Sequence, residues 1–159
     1  MFNQIIAGIL SFLLMIFPWS GTLLSLYQSA SFPGEKVVIQ NIVDAINARD
    51  IDAIEAMFSL DTKQNTANLR GNIGALIDAV DGEIISETQH SGYASDESGT
   101  GKAISRRSWA RRLKTAMQTY ILDISWTIVN TSAPREVGLN SLTLSDTQGN
   151  ILVTTYHPK

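Results

Sequence analysis

The spacing of apolar residues along this chain changes at Gly82 from a helical period to a strand period. Before Gly82, apolar residues recur at every third or fourth position, which indicates amphipathic helices. After it, apolar and polar residues alternate over long runs, which indicates half-buried strands. Helices followed by a series of antiparallel strands predict an α+β fold in which the helices pack on one face of the sheet.

The helical half divides at local capping signals. Asp50 offers an N-cap in front of a short apolar-periodic stretch. The dipeptide Asp81-Gly82 ends the last stretch, where Gly82 suits a left-handed C-terminal position. The predicted helices cover residues 35–49, 51–58 and 69–80, with a polar loop at residues 61–66.

The second half predicts long strands. Two of them are longer than an average strand, so the sheet must twist and curve. A curved sheet wrapped around helices leaves a conical cavity, and we predict one cone-shaped domain over residues 35–159, a normal size for one hydrophobic core. The predicted strands cover residues 83–90, 103–115, 119–131, 139–145 and 151–156, with a loop rich in Gly and Ser at residues 92–101.

Residues 1–34 contain no Asp, Glu, Lys or Arg, and residues 5–17 are almost unbroken apolar sequence. This run fits the hydrophobic region of a signal peptide, and with the apolar residues 21–27 it approaches a membrane span. Small residues before position 32 offer a cleavage site after Ser31. We therefore predict an exported, extracytoplasmic protein, either secreted or anchored in the membrane by residues 5–27. The alternative is a buried core helix, which would normally show a polar face and caps.

Composition excludes several kinds of chemistry. The chain has no Cys and two histidines, His90 and His157. Disulfides, cysteine-bound metals and a thiol nucleophile are therefore excluded, and the spacing of the histidines indicates no metal site. We predict no cofactor. The net charge of −3 provides no general attraction to nucleic acid, so no nucleic-acid partner is expected.

Five stretches carry a family resemblance: IVDAINARDIDAIEAMFS, LRGNIGALIDAVDG, RRSW, YILDISWTIVNT and VGLNSLTLSD. They cover most of residues 37–153 and resemble a family of uncharacterised bacterial exported proteins, many of which look like lipoproteins. This chain has no Cys to acylate, so a lipid anchor is not implied. The order of elements also resembles the cystatin-like fold of the nuclear transport factor two superfamily. That resemblance implies a cone, but its members include isomerases, cyclases, dehydratases, ligand binders and dimerisation modules, so the fold does not decide the function.

The charges are unevenly distributed along the chain. Residues 102–114 carry six basic residues and no acid, whereas residues 35–101 carry 4 basic and 12 acidic residues. On a strand, Arg107, Trp109 and Arg111 share one face. They form a candidate site for an aromatic ligand or an anionic surface such as phospholipid head groups or wall polymer. The alternative is that the basic strand pairs with acids of the helical half and of neighbouring strands.

One predicted strand carries both a candidate catalytic residue and candidate cavity residues. Asp123 lies in the middle of this apolar strand, and Tyr120 and Trp126 lie on its other face. A carboxylate inside the cone could act as a general base; the alternative for Asp123 is an outward position against an arginine. Tyr120, Trp126 and Trp109 are candidates to line a ligand cavity, and ordinary core packing is the alternative.

Three functions remain open at this point. The first is an exported or membrane-tethered domain that binds a small molecule or an anionic surface and is not an enzyme. The second is a lyase or isomerase that acts on a hydrophobic small molecule with Asp123 as base. The third is a structural homodimerisation module that uses the open face of the sheet. The direction of Asp123 and the polarity of that open face distinguish the three.

Overall fold

A computed structural model describes residues 33–156 of the chain. The predicted signal peptide or anchor therefore lies outside the described residues, apart from Pro33 and Gly34, and so does His157. No helix among the described residues is long and apolar enough to cross a membrane. The described chain contains four α-helices and a five-stranded antiparallel sheet, which confirms the predicted α+β class.

The first two helices form where the apolar spacing predicts them. Helix α1 (Glu35–Ala48) buries its apolar side in the core. Helix α2 (Ile51–Met57) follows after two residues. The Asp50 carboxylate caps α2, because it accepts a hydrogen bond of 2.9 Å from the backbone N–H of Ala53.

The predicted loop at residues 61–66 is wrong, because this segment forms helix α3 (Leu60–Asn65). The hydroxyl of Ser59 caps this helix by accepting a hydrogen bond of 3.0 Å from the backbone N–H of Thr62. Thr62 is itself buried, with 5% of its surface exposed. The cap and the burial of Thr62 thus stabilise a helix in a segment whose polar composition predicts a loop. Helix α4 (Leu69–Ala79) then matches the third predicted helix.

The strands form a meander in which each strand pairs antiparallel with the next. The last four agree with the predicted strands to within two residues at every end. A short 3-10 helix (Pro134–Glu136) separates the third strand from the fourth. The strands are β1 (Ser86–Gly99), β2 (Lys102–Lys114), β3 (Thr119–Asn130), β4 (Gly138–Asp146) and β5 (Ile151–Thr154).

The strand predicted over residues 83–90 is confirmed from Ser86 onward, but the loop predicted over residues 92–101 is wrong, because β1 continues through most of it. It pairs with β2 along its whole length, so backbone hydrogen bonds hold this Ser- and Gly-rich segment extended. The turn between the two strands consists only of Thr100 and Gly101. Both have positive φ, 42° and 79°, as a tight two-residue hairpin turn requires.

Helices cover one face of the sheet, which we call the inner face, and leave the opposite, outer face open. The strand residues of the core point toward the helices and are almost fully buried. Since side chains alternate along a strand, their neighbours lie on the outer face. The strand residues that mark the inner face are Leu113, Tyr120, Leu122, Ile124, Leu142 and Leu144.

The connection between α2 and α3 is joined to the edge of β4. Phe58 forms a bridge with Leu139, and the backbone N–H of Ser59 donates a hydrogen bond of 2.9 Å to the carbonyl oxygen of Leu139. Gly138 has a φ of 130° at this point. This junction brings α3 to the rim of the outer face.

Candidate functional site

The aromatic side chains predicted to line a cavity on the inner face are parts of the core. Tyr120 and Trp126 are 1% and 0% exposed. The Tyr120 hydroxyl accepts a hydrogen bond of 2.8 Å from the backbone N–H of Asp81 and another from the side chain of Gln118. The two rings occupy the space between sheet and helices, so a ligand would reach them only by displacing core side chains. Their ligand-binding role stays a prediction.

Trp109 lies on the same inner face, at the margin of the core. Its ring covers Gly92 of β1, where an added Cβ would lie 1.7 Å from the Cε3 atom of the tryptophan. Only glycine therefore allows this ring to lie flat on the edge strand. Trp109 is half-buried, and its indole N–H has no partner within residues 33–156.

Three arginines of the basic strand pair with carboxylates. Arg111 is 9% exposed, and its Nε donates a hydrogen bond of 2.7 Å to Glu87 of β1. Its Nη1 also lies 3.5 Å from Glu35 at the start of α1. These contacts support the pairing alternative for the predicted ligand residue Arg111. The other two pairs are Arg107 with Asp96 at 2.8 Å and Arg106 with Glu136 at 3.4 Å.

We expect Arg111→Ala to lower the free energy of unfolding by about 1–3 kcal/mol, because it leaves Glu87 half-buried without its cation. The matched control is Arg112→Ala on the next position of β2, an exposed side chain whose loss should change stability by less than about 0.5 kcal/mol. Urea denaturation of both variants measures the difference. Equal losses would show that the Arg111 pairs contribute nothing specific.

A row of serines crosses the outer face from strand to strand. The register places Ser108 of β2 opposite Ser125 of β3, and Ser125 opposite Ser141 of β4. We call these three residues the serine row. Tyr93 of β1 lies directly opposite Ser108 and begins the row. Tyr156, which follows β5, lines a groove with Ser141 at its other end.

The polar groups of this row have no intramolecular partners. No side-chain hydrogen bond joins Ser108, Ser125 or Ser141 to another side chain or to the backbone within residues 33–156, although each hydroxyl can donate one hydrogen bond and accept two. Tyr93 and Tyr156 are 67% and 46% exposed, whereas the other Phe, Tyr and Trp side chains of residues 33–156 are buried or half-buried. Ser108 is exposed and Ser125 and Ser141 are half-buried, so the row is at least partly accessible to solvent along its length.

Asp123 also lies on the outer face, in a groove of ≈ 370 Å³ beside the serine row. Its neighbours across the sheet are Ala110 and Thr143, and His90 is on the groove wall. Partial burial raises the pKa of the Asp123 carboxyl, and the nearby His90 opposes this rise. No arginine pairs with Asp123 within the described chain. It lies neither between the sheet and the helices, as a cavity base would, nor against an arginine; its catalytic role stays a prediction.

We expect Asp123→Asn to be at least as stable as the wild type at neutral pH. A carboxyl whose pKa is raised by folding retains its proton longer in the folded state, so its contribution to stability falls as pH rises above the ordinary value of 3.8. The free energy of unfolding of the variant should exceed that of the wild type above this pH, and the difference should disappear at about pH 3, where both side chains are neutral. Denaturation across this range measures it, and a variant that is less stable at neutral pH contradicts it.

The end of the row at Tyr156 is a second polar groove of ≈ 310 Å³. Arg106 and Glu136 form an ion pair here, and Glu136 also accepts a hydrogen bond of 2.8 Å from the side-chain amide of Asn130. The Asn140 amide donates a hydrogen bond of 3.1 Å to Thr127. Arg106 and Glu136 therefore neutralise each other, and Asp61 adds a further carboxylate to the polar lining of the groove.

Sequence reasoning missed Tyr93, Tyr156 and the serine row. Tyr93 falls in the segment predicted as a loop, and the three serines are separated by 16 or 17 positions, so only strand register brings them together. Alternation on β3 did place Ser125 on the same face as Asp123, which is the one signal that the sequence offers. In residues 33–156, no group of three or more His, Cys, Asp or Glu side chains has the arrangement of a metal site.

Residues 41–149 match the family described as Domain of unknown function (DUF5104). The match covers more than half of the sequence. The chain belongs to this family. No curated protein matches it. Because the description of DUF5104 states no activity, the function must be argued from the geometry of the outer face.

Proposed function

We propose that this DUF5104 protein is an exported or membrane-tethered binding domain whose ligand or partner contacts the outer face of the sheet. We also propose that the domain is a cystatin-like cone of the nuclear transport factor two superfamily. The order of elements, with four helices before an antiparallel meander and packed on one of its faces, supports that finer fold.

One observation carries the choice of the outer face: the side chains of the serine row and of Asp123 have no hydrogen-bond or ion-pair partner in the rest of residues 33–156. On the inner face, Arg107 and Arg111 are paired with carboxylates, and the Tyr120 hydroxyl has two donors. Unpartnered polar groups beside a groove are the ones that a ligand satisfies.

Export is supported by the N-terminal sequence. Residues 1–34 lack charged side chains, and the apolar run within them has the length of a signal-peptide core. The absence of Cys suits an oxidising compartment, where a free thiol would react. The intact mass of the protein recovered from the producing cell distinguishes cleavage after Ser31 from a retained anchor.

Catalysis and dimerisation have weaker support. A lyase or isomerase requires a base inside the cone, and Asp123 lies on the outer face, outside it. A dimer built on the outer face would bury the serine row and Asp123, which costs free energy unless each group finds a partner. Arg112 and Lys114 on the outer face have no carboxylate partner within residues 33–156, and Arg112 Nη2 lies 3.5 Å from Nδ1 of His90. Binding of an anionic surface therefore stays a prediction for that corner of the sheet.

Hydroxyl-radical footprinting of the full-length protein tests the proposal. The protein is labelled with and without an extract of the cell envelope from the producing organism. We expect lower labelling of Tyr93 and Tyr156, because a bound ligand covers the outer face. Met117, which is 71% exposed in the β2–β3 turn, is the internal control and should not change.

Two results contradict the proposal. The first is protection confined to the helical side, for example at Val37, which is also well exposed. The second is labelling that stays the same at every exposed residue in the presence of the extract. Either result would mean that the outer face is not the binding surface.

A further inference from the structure

We propose that the ligand of the outer face is an uncharged linear polysaccharide that lies along the serine row from Tyr93 to Tyr156. This inference rests on the proposed function and names the chemistry of the ligand. It uses two features of the outer face: where its aromatic rings are exposed, and which charges lie between them.

The two tyrosines mark the ends of an extended strip across the outer face, which leads into the groove lined by Ser141 and Tyr156. Strands β1 and β4 are three strand spacings apart, about 14 Å, and Tyr156 lies beyond β4. The strip is therefore long enough for several sugar rings in line, running across the strands. The two rings are exposed at opposite ends of one row, whereas the other described aromatic side chains are buried or half-buried.

The chemistry along the groove matches a sugar chain. A pyranose ring presents an apolar C–H face, which packs on the face of an aromatic ring. Its hydroxyl groups both donate and accept hydrogen bonds, as do the unpartnered hydroxyls of the serine row. Asn140 and Thr143, on either side of Ser141, add an amide and another hydroxyl to the groove walls.

The charges select an uncharged ligand. The row from Tyr93 to Ser141 carries no ionisable group other than the tyrosine itself. Arg106 on one side is neutralised by Glu136, and Asp123 on the other side would repel a polyanion. Arg112 and Lys114, which have no carboxylate partner within residues 33–156, lie one and two rows further on, beyond Asp123. An anionic polymer would therefore have to cross the carboxylate to reach them.

Isothermal titration calorimetry of the full-length protein with uncharged oligosaccharides tests the inference. The panel contains cellohexaose, chitohexaose and an α-linked maltohexaose, with polygalacturonate as the anionic comparison. The detergent should be a polyoxyethylene ether, because an alkyl glycoside would compete for the groove. We expect at least one uncharged oligosaccharide to bind and polygalacturonate to bind more weakly.

Variants locate the binding. Tyr93→Ala and Tyr156→Ala should each weaken binding by about tenfold, the loss expected for one stacked ring. Tyr93→Phe keeps the ring and should bind like the wild type. Ser108→Arg places a long charged side chain in the middle of the row and should abolish binding. Met117→Ala is the matched control, since it removes an exposed apolar side chain remote from the groove.

Three outcomes overturn the inference, and each can be distinguished from a result that contradicts the proposed function. Absence of binding to every uncharged oligosaccharide overturns it, and the proposed function still stands if envelope extract protects Tyr93 and Tyr156. Tighter, salt-sensitive binding of polygalacturonate would assign the face to an anionic polymer. A dimer in sedimentation experiments that Ser108→Arg dissociates would assign the face to a second copy of the chain.

Discussion

Replacement of Trp126 by alanine is expected to lower the free energy of unfolding by about 3–5 kcal/mol, the usual cost of removing a fully buried aromatic side chain. The ring has no exposed surface and packs in the core that the helices share with β3 and β4. Its indole N–H has no partner in the described residues, so the loss comes from packing and not from a hydrogen bond.

Thermal and urea denaturation of Trp126→Ala measure this loss, with Tyr93→Ala as the control. Tyr93 is exposed on the outer face, and its removal should change stability by less than about 0.5 kcal/mol. The pair of variants separates the two faces of the sheet, because one ring supports the fold and the other is available to a ligand. A small effect of Trp126→Ala would indicate that the ring lines a cavity, and the predicted ligand role of Trp126 would then gain support.

The elements that the sequence predicted correctly are those set by local signals. The Asp50 cap and the helical spacing before Gly82 depend on residues that are neighbours in the chain. Alternation of apolar and polar residues likewise defined β2 and β3, where both faces have a clear character. Helix and strand periods are visible in any window of the sequence, so no knowledge of the tertiary structure was needed.

The elements that it missed depend on distant parts of the chain. Helix α3 is stabilised in part by the burial of Thr62 beside the sheet edge, and the second half of β1 is held extended by its pairing with β2. A Ser- and Gly-rich segment has little strand propensity of its own. Composition therefore predicted loops at both places, and the tertiary contacts override it.

The candidate site shows the same limit. The sequence predicted which residues of β2 share a face, and the structure bears this out, since Arg107 and Arg111 lie together on the inner face. The more polar character of the β3 face that carries Asp123 also favoured that face as the outer one, and the burial of Tyr120 and Leu122 on the other face confirms this. The sequence could not align Tyr93 with Ser108 and Ser125, since strand register is fixed by the turn at Gly101 and by bulges. The alignment of the residues between Tyr93 and Tyr156 on the outer face therefore depends on strand register.

Gly138→Ala is expected to lower the free energy of unfolding by about 2–5 kcal/mol, through backbone strain and a steric clash together. The φ of 130° at this position is one that residues with a Cβ rarely adopt. The added Cβ would also lie 2.7 Å from the backbone N of Ser59 and 2.9 Å from the carbonyl oxygen of Met57. Because both are backbone atoms, no side-chain rotation relieves the contact.

Gly99→Ala is the matched control for this substitution. Gly99 also lies at the end of a strand, but its φ is not positive and nothing lies within 4 Å of an added Cβ. Its replacement should change stability by less than about 0.5 kcal/mol. Urea denaturation of the two variants at the same protein concentration compares them directly.

The junction at Gly138 also matters for binding, because it holds α3 against the groove that Tyr156 lines. Asp61 and Thr62 of α3 form one wall of that groove, opposite Arg106. If the hydrogen bond between Ser59 and Leu139 is lost in Gly138→Ala, the wall moves and the affinity for an uncharged oligosaccharide should fall, even under conditions where the variant remains folded. A variant with native stability and native affinity would contradict the close contact between the α2–α3 connection and β4.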